Sequence, residues 1–566
     1  MDNVMSIFSK NSDKLKYLYG IISIFIICLF SSLILVKSIH TYPQLGDEDV
    51  HLKYSAKIVK LKIIENKSFR EIGEELFISK EMEMDTPVIM EYILGAVMYL
   101  KYKKEFLALA EKPFWDYQAS YKENQEMGAE IPRELLNFSR YSSMITSTLS
   151  CIVLWLILCH LKIYAGALIA SLLLFCSDLF KVYSFISCPE IYLVLFSACA
   201  VLFFLKFYSR FCHNRKSFFY FLVLSAVFIS LALLIKLTAI IFIGYFLFFL
   251  ILLVVFKKSI GLTVKIKLLL IMVVIFPLVI SIMSYLFHPL FHIYPLTGWI
   301  KIVMSELSYI GAQKLAFCEG GLFFIDKFVI IPHRIMYWAV SIINSDGATY
   351  LFFFGIIILF AVNMVKCFKC NNKVRTKKSL VVSISAFCVF VIFYLFLFFY
   401  YDWERPHKAT LIDPCVSHTV LFVRPLRGWV NQKQKVSNCG KNKTFNLCDS
   451  SADEFRNLDF TLSRRRSWVQ TGTVLKINYL LLIGINIMFL LGMRDALRRS
   501  NFIKKNKECK NSMILGSLFL WICLLQIIFQ HCDWERYYLI GVYFYYIIVG
   551  IGIGTIEKRI YKKLVV

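Results

Sequence analysis

Stretches of about twenty apolar residues, the length that crosses the hydrocarbon core of a bilayer, recur along the chain and constrain its fold more than any motif does. Twelve can be read, at 17–38, 141–160, 163–181, 189–208, 217–235, 238–256, 268–287, 349–365, 379–400, 474–493, 512–530 and 537–555. In lipid a backbone amide must bond within its own segment, so each run predicts a helix. The long run at 217–256 is interrupted by "IKLT", where a turn is expected. Of the 566 residues, 58% are hydrophobic and 18% charged, too apolar a balance for a soluble chain of this size. The expected class is an all-α polytopic membrane protein with about twelve transmembrane helices. The first run, "YLYGIISIFIICLFSSLILV", lacks a small-residue cleavage site after it and reads as an anchor that stays.

The formal net charge of +26 would suit a nucleic-acid partner, but the basic residues form short clusters between apolar runs and not a separate polar domain. No nucleic acid is expected. With "SKNSDKLK" placed inside, the loops "KFYSRFCHNRK", "KKSIGLTVKIK", "KCFKCNNKVRTKK" and "RDALRRSNFIKKNKECK" and the tail "EKRIYKKLVV" all become cytoplasmic and all are basic. The intervening turns are not, as the positive-inside rule requires. Both termini are therefore expected in the cytoplasm. Most of the 17 cysteines lie in apolar runs as small buried hydrophobes, and "CFKC" has no second pair to complete a metal site.

Three outer segments are long: 39–140, 288–348 and 401–473. In the first, "DEDVHLKYSAKIVKLKII" places Val50, Tyr54, Ile58 and Leu61 at helical spacing against Lys53, Lys57, Lys60 and Lys62. "TPVIMEYILGAVMYL", with Glu91 inside, is too short to cross unaided. Both read as helices lying in the interface, the second started by Pro87, with the lysine stripe on lipid headgroups. Asn66, Asn137 and Asn442 begin glycosylation patterns on the same outer side.

Ionisable groups at a membrane boundary are costly unless they pair or work. Here they gather on the outer side: Asp47, Glu48, Asp49 and His51, then Asp85, Glu190, Lys236, His333 and Arg334. Asp402, Glu404, Arg405 and His407 join them, as do His531, Asp533, Glu535 and Arg536, the last followed by Tyr537. The tetrapeptide "DWER" occurs in both of the latter groups. Each has a plain structural reading as well. Acids favour a first helical turn, as Asp47–Asp49 or Glu190 would, a lysine such as Lys236 snorkels, and Trp with Arg anchors a boundary.

The order and sidedness of these residues resemble the GT-C glycosyltransferases, closest to the protein O-mannosyltransferase and aminoarabinose (lipid A) transferase group that uses polyprenyl-phosphate sugars. The resemblance is carried by "GDEDVHLKYSAKIV" with its acid pair Asp47–Glu48, "EMDTPVIMEYILGAVMYL", "SCPEIYLVLFSACAVLFFLKFY", "LALLIKLTAIIF" and "HCDWERYYL". It covers about the first 260 residues and the last forty. Where the family often has Pro-Pro, this chain has Thr86–Pro87, and 288–473 carries nothing over. The division implied is a GT-C-like transmembrane region at 1–400, an outer loop or small extramembrane insert at 401–473, and C-terminal transmembrane helices at 474–566.

What the resemblance implies is transfer of a sugar from a polyprenyl-phosphate donor to an acceptor hydroxyl on the non-cytosolic face. The phosphate is already a good leaving group, so the demands are a base for the hydroxyl proton and donors for the departing phosphate. Asp47 is the expected base, with Arg536, Arg405 and Lys236 on the phosphate. Glu48 or Asp85 would position the acceptor or a divalent metal. Glu190, His333, Arg334, His407, His531 and Tyr537 complete the substrate-binding set. A carboxylate opposite the leaving group fits inversion. The acceptor stays open among lipid, glycan and protein, and membrane lipids are further partners. Two other readings stay open: a twelve-helix transporter, and a lipid-linked glycan polymerase or ligase using His407 or Arg424. The expected compartment is a bacterial inner membrane, with the endoplasmic reticulum as the alternative.

Overall fold

The computed structural model describes residues 2–41, 44, 46–78, 87–115, 121–175, 177–212, 217–256, 266, 270, 274–305, 472–497, 511–529 and 539–565. Among the described residues every regular element is a helix. They are α1 (Asp2–Thr41), α2 (Gly46–Val59), α3 (Phe69–Gly73), α4 (Val88–Lys101), α5 (Lys103–Ala108), α6 (Tyr121–Glu126), α7 (Arg133–His160), α8 (Tyr164–Phe175) and α9 (Asp178–Tyr183). There follow α10 (Pro189–Cys212), α11 (Phe218–Leu233), α12 (Ile240–Phe256), α13 (Phe276–Phe287), α14 (Leu290–Ile293), α15 (Gly472–Leu497), α16 (Asn511–Phe529) and α17 (Leu539–Val565).

Among the described residues four helices contain apolar stretches long enough to cross a membrane: Leu18–His40, Arg133–His160, Pro189–Phe211 and Leu539–Arg559. Shorter apolar helices occupy Tyr164–Phe175, Phe218–Leu233, Leu237–Leu252, Phe276–Phe287 and Asn511–Leu525. This is an all-α membrane protein. The runs at 349–365 and 379–400 lie outside the described residues. The expected break at "IKLT" is present: α11 ends, Lys236 is extended, and a short 3-10 turn at Leu237–Ala239 leads into α12. The run at 163–181 departs from expectation, since α8 stops at Phe175 and α9 restarts at Asp178 across a polar Ser177–Asp178 step.

α17 is the buried axis of the bundle, packing against α15, α8 and α16. Its "GIGIG" sequence explains how close these neighbours come. A Cβ on Gly552 would overlap the Met488 carbonyl of α15, and one on Gly492 would overlap the Ile548 carbonyl of α17. Gly550 and Gly554, one turn apart, meet Leu158 of α7 and Ile163 before α8, while Gly166 of α8 abuts the Gly550 carbonyl. Small residues permit this backbone approach, which supplies dispersion contact where lipid removes the hydrophobic drive. Gly552→Leu is therefore expected to destabilise the detergent-solubilised protein by about 3 kcal/mol or more, since no side chain there can swing aside. Gly484→Ala, at a position with nothing within 4 Å, is the control and should leave the unfolding temperature level or slightly higher.

In the segment between α1 and α7 the two expected helices are present as α2 and α4, packed on each other, with the shorter α3, α5 and α6 beside them. The lysine stripe of α2 is not a headgroup contact throughout, however. Lys53 is fully buried, because Pro113 and Ala129 close over that face of α2. Its ammonium donates to the carbonyls of Pro113 and Ala129 and lies 2.5 Å from Asp49 Oδ1. Lys60 pairs with Glu111, and Lys57 lies 5.2 Å from the Phe114 ring centroid. The loop is also shorter than expected: α7 begins at Arg133, so Asn137 belongs to a helix and its side chain meets His40 Nδ1 at 3.1 Å. The segment that begins at 288 docks onto the one between α1 and α7. Leu290, Phe291 and Ile302 share an apolar cluster with Ile58, Leu61, Ile72, Leu76, Phe77 and Val88.

Candidate active site

The candidate site lies at the end of the bundle where α1 finishes, α2 begins, α7 and α10 start and α11 stops. α1 ends at Thr41 and α2 begins at Gly46, so their junction is a corner of the site. What holds that corner is Glu48. Its Oε1 accepts from Arg140 Nε at 2.8 Å and from the Ser187 amide at 3.1 Å, and its Oε2 accepts from Arg140 Nη2 at 2.6 Å. Arg140 Nη1 donates onward to the Ile39 carbonyl at 3.1 Å, tying the last turn of α1 to the same knot. Both side chains are fully buried. The two-point carboxylate–guanidinium geometry is the form in which a buried pair best offsets its desolvation.

Asp49, one residue on, is committed in another direction. Its Oδ2 accepts from the Trp115 amide at 2.8 Å while Oδ1 faces Lys53. Burial raises the Asp49 carboxyl above the usual carboxylate range and lowers the Lys53 ammonium below the usual lysine range, each shift opposed by the partner's charge. Gln44 adds a further tie, accepting from the Ile131 amide at 2.8 Å. Two of the three consecutive acids thus hold α2 in place, one to the membrane helices and one to the loop. Asp47 sits beside them in the first turn of α2.

Glu190 and Lys236 meet at the same end. Glu190 opens α10, three residues after the Ser187 amide that Glu48 binds, and Lys236 Nζ donates to its Oε1 at 2.8 Å. The carboxylate is buried and the ammonium partly exposed. Lys236→Met should cost about 2–3 kcal/mol by leaving the buried carboxylate without its cation, and Glu190→Leu combined with Lys236→Met should recover most of that loss. Thermal unfolding of Lys236→Met, Glu190→Leu and the double variant reads the difference, and losses that simply add would show that the two groups are uncoupled.

The structure therefore brings Glu48, Glu190 and Lys236 to one end of the bundle, where Asp47 also begins its helix. Asp85, His333, Arg334, Arg405, His407, His531, Arg536 and Tyr537 lie outside the described residues. Arg140 and Ser187 were not singled out from the sequence. Arg140 was legible in principle, as a lone guanidinium in "NFSRYSSMITSTLS" on the way into an apolar helix. Ser187 contributes only its backbone amide to Glu48, which no residue pattern reveals. Among the described residues no group of three or more His, Cys, Asp and Glu side chains is arranged to hold a metal ion.

No curated protein and no solved structure matches the chain. Residues 79–296 match the family model described as Dolichyl-phosphate-mannose-protein mannosyltransferase. That stretch runs from just before α4, through α7 and α10–α12, to the docked segment after α13, and the match supports the resemblance to the GT-C glycosyltransferases.

Proposed function

We propose that this protein is a membrane glycosyltransferase that takes a sugar from a polyprenyl-phosphate donor and places it on an acceptor hydroxyl at the non-cytosolic face. The observation that carries the reading is the knot of Glu48, Arg140, Ile39 and the Ser187 amide, which fixes the first turn of α2, and Asp47 in it, at the bundle end where Glu190 and Lys236 also meet. The family match over 79–296 supports the donor class.

In this reading Asp47 removes the acceptor proton as the hydroxyl attacks the anomeric carbon. The bond to phosphate breaks with its electron pair leaving on oxygen, so base and leaving group lie on opposite sides and the centre inverts. Glu48, with both oxygens engaged, orients α2 and does not bind the acceptor directly. Lys236 provides positive charge near the departing phosphate, its ammonium oriented by Glu190. Arg405 and Arg536 are assigned the two-point phosphate contacts, Asp85 the acceptor, and His333, Arg334, His407, His531 and Tyr537 the remaining substrate contacts. Residues 401–473 are assigned as an outer loop or small extramembrane insert between the transmembrane regions. The acceptor is a protein, the class that the family description names for its members, and a hydroxyl-bearing side chain would supply the attacking oxygen.

The test is to supply purified full-length protein with a panel of polyprenyl-phosphate sugars and peptide acceptors and to follow release of polyprenyl phosphate. Release with one donor, with the sugar recovered on the acceptor in inverted configuration, is the expected result. A folded preparation that releases nothing from any donor would overturn the proposal.

A further inference from the structure

Glu91 is the least expected residue of the first loop: a carboxylate in the middle of the apolar helix α4. Its side chain is fully buried. A carboxylate in such a place needs strong partners, and both of its oxygens have one from α2. His51 Nδ1 lies 2.8 Å from Oε1, and the Ser55 hydroxyl donates to Oε2. Ser55 Oγ also lies 2.8 Å from the His51 carbonyl, so the pair is knitted to a single turn of α2. One turn along α4, Gly95 explains how a short carboxylate reaches. A Cβ there would come within 2.8 Å of Val59 and 3.2 Å of the Ser55 carbonyl, so glycine lets the two helices close on each other.

Asp47, His51 and Ser55 recur at four-residue spacing on α2, the positions that stack along one helix face. His51 thus lies one turn from the proposed base and is itself gripped by a buried acid from the neighbouring helix. Its side chain is 13% exposed while that of Glu91 is 0% exposed, so the imidazole is the part of this cluster that reaches outward. A carboxylate on Nδ1 sets the ring's orientation and favours the tautomer whose Nε2 takes up a proton. It also stabilises the imidazolium that results, which is the role a buried acid plays behind a working histidine.

We propose that His51 is a second proton-handling residue of the transfer site, with Glu91 as its positioning residue. This rests on the reading of Asp47 as base. The acceptor O–H bond breaks as its electron pair forms the new bond to the anomeric carbon, the sugar–phosphate bond breaks with its pair on phosphate oxygen, and the proton bonds to the Asp47 carboxylate. That proton then passes to His51 Nε2 and from the imidazolium to water, which returns Asp47 to its charged form for the next turnover. Burial raises the Glu91 carboxyl above the usual range while the hydrogen bond and charge of His51 pull it down, so Glu91 is charged most readily when the imidazole carries the proton.

The experiment compares His51→Ala, His51→Asn and Glu91→Gln with wild type in the transfer assay, using full-length protein and saturating donor. All three are expected to lower kcat by about 10²-fold with the donor KM little changed, the pattern of a group that acts in turnover and not in ground-state binding. His51→Asn keeps a donor for Glu91 and guards against simple misfolding. Added imidazole should restore turnover to His51→Ala and leave Glu91→Gln unimproved. Full activity in folded His51→Asn, or a loss in His51→Ala that imidazole does not relieve, would overturn the role of His51 while Asp47→Asn remained inactive and the transferase reading stood. Absence of transfer by wild type would remove both.

Discussion

Replacing Asp47 with asparagine is expected to lower sugar transfer by about 10³-fold, the scale on which removal of a positioned general base is felt. The fold should survive. Asparagine serves nearly as well as aspartate at a helix start, and α2 is held by its neighbours, Glu48 on Arg140 and Asp49 on Lys53 and the Trp115 amide. The unfolding temperature of Asp47→Asn should therefore match wild type, and the donor KM should change little, because the base acts on the acceptor proton and not on the donor. Steady-state release of polyprenyl phosphate measures this. Activity within tenfold of wild type would remove Asp47 from the mechanism.

Arg140→Ala is expected to produce the largest loss of stability, about 3–5 kcal/mol, because it strands a fully buried carboxylate and the Ile39 carbonyl. The sign of the companion variants separates burial from packing. Arg140→Lys keeps the charge but not the two-point contact and should fall between alanine and wild type. Combining Arg140→Met with Glu48→Met removes both charges and should be less destabilised than Arg140→Ala, since no ion is then left unpaired. Transfer should fall in every one of these, including the double variant, because the turn that carries Asp47 loses its two-point tie to α7 and, in the double variant, the Ser187 amide as well. Thermal unfolding and transfer, measured on the same preparations, check both halves of the expectation. A double variant with wild-type turnover would show that this knot serves stability alone.

How far these arrangements are legible in the amino-acid order depends on what kind of force makes them. Helices driven by the bilayer are written as long apolar runs, and α1, α7, α10 and α17 stand where the runs stand. Their ends are less legible. α7 starts at Arg133 because a polar, serine-rich segment can continue a helix once tertiary partners satisfy it, as the Arg140 and Ser139 contacts do. The lysines of α2 mislead for a similar reason. Their spacing describes an amphipathic helix with its charges turned to headgroups, yet Lys53 is held by the backbone carbonyls of Pro113 and Ala129, which leave no trace in side-chain pattern.

The acids show the limit most plainly. "DED" announces a cluster but not a division of labour. Glu48 ties α2 to the bundle, Asp49 ties it to the loop, and Asp47 is left as the expected base, and none of this follows from the residue types. Glu91 was legible only as an anomaly inside an apolar run, because its partner is a histidine forty residues earlier and on another helix.

Proteoliposomes holding the full-length protein and a polyprenyl-phosphate sugar labelled in both halves offer the most direct measurement, since they separate chemistry from translocation. Wild-type protein should cleave the sugar–phosphate bond, leaving labelled polyprenyl phosphate in the membrane and labelled sugar on the acceptor, and Asp47→Asn should do neither. Movement of the intact labelled donor from one leaflet to the other, with the bond unbroken in wild type and variant alike, would contradict the account.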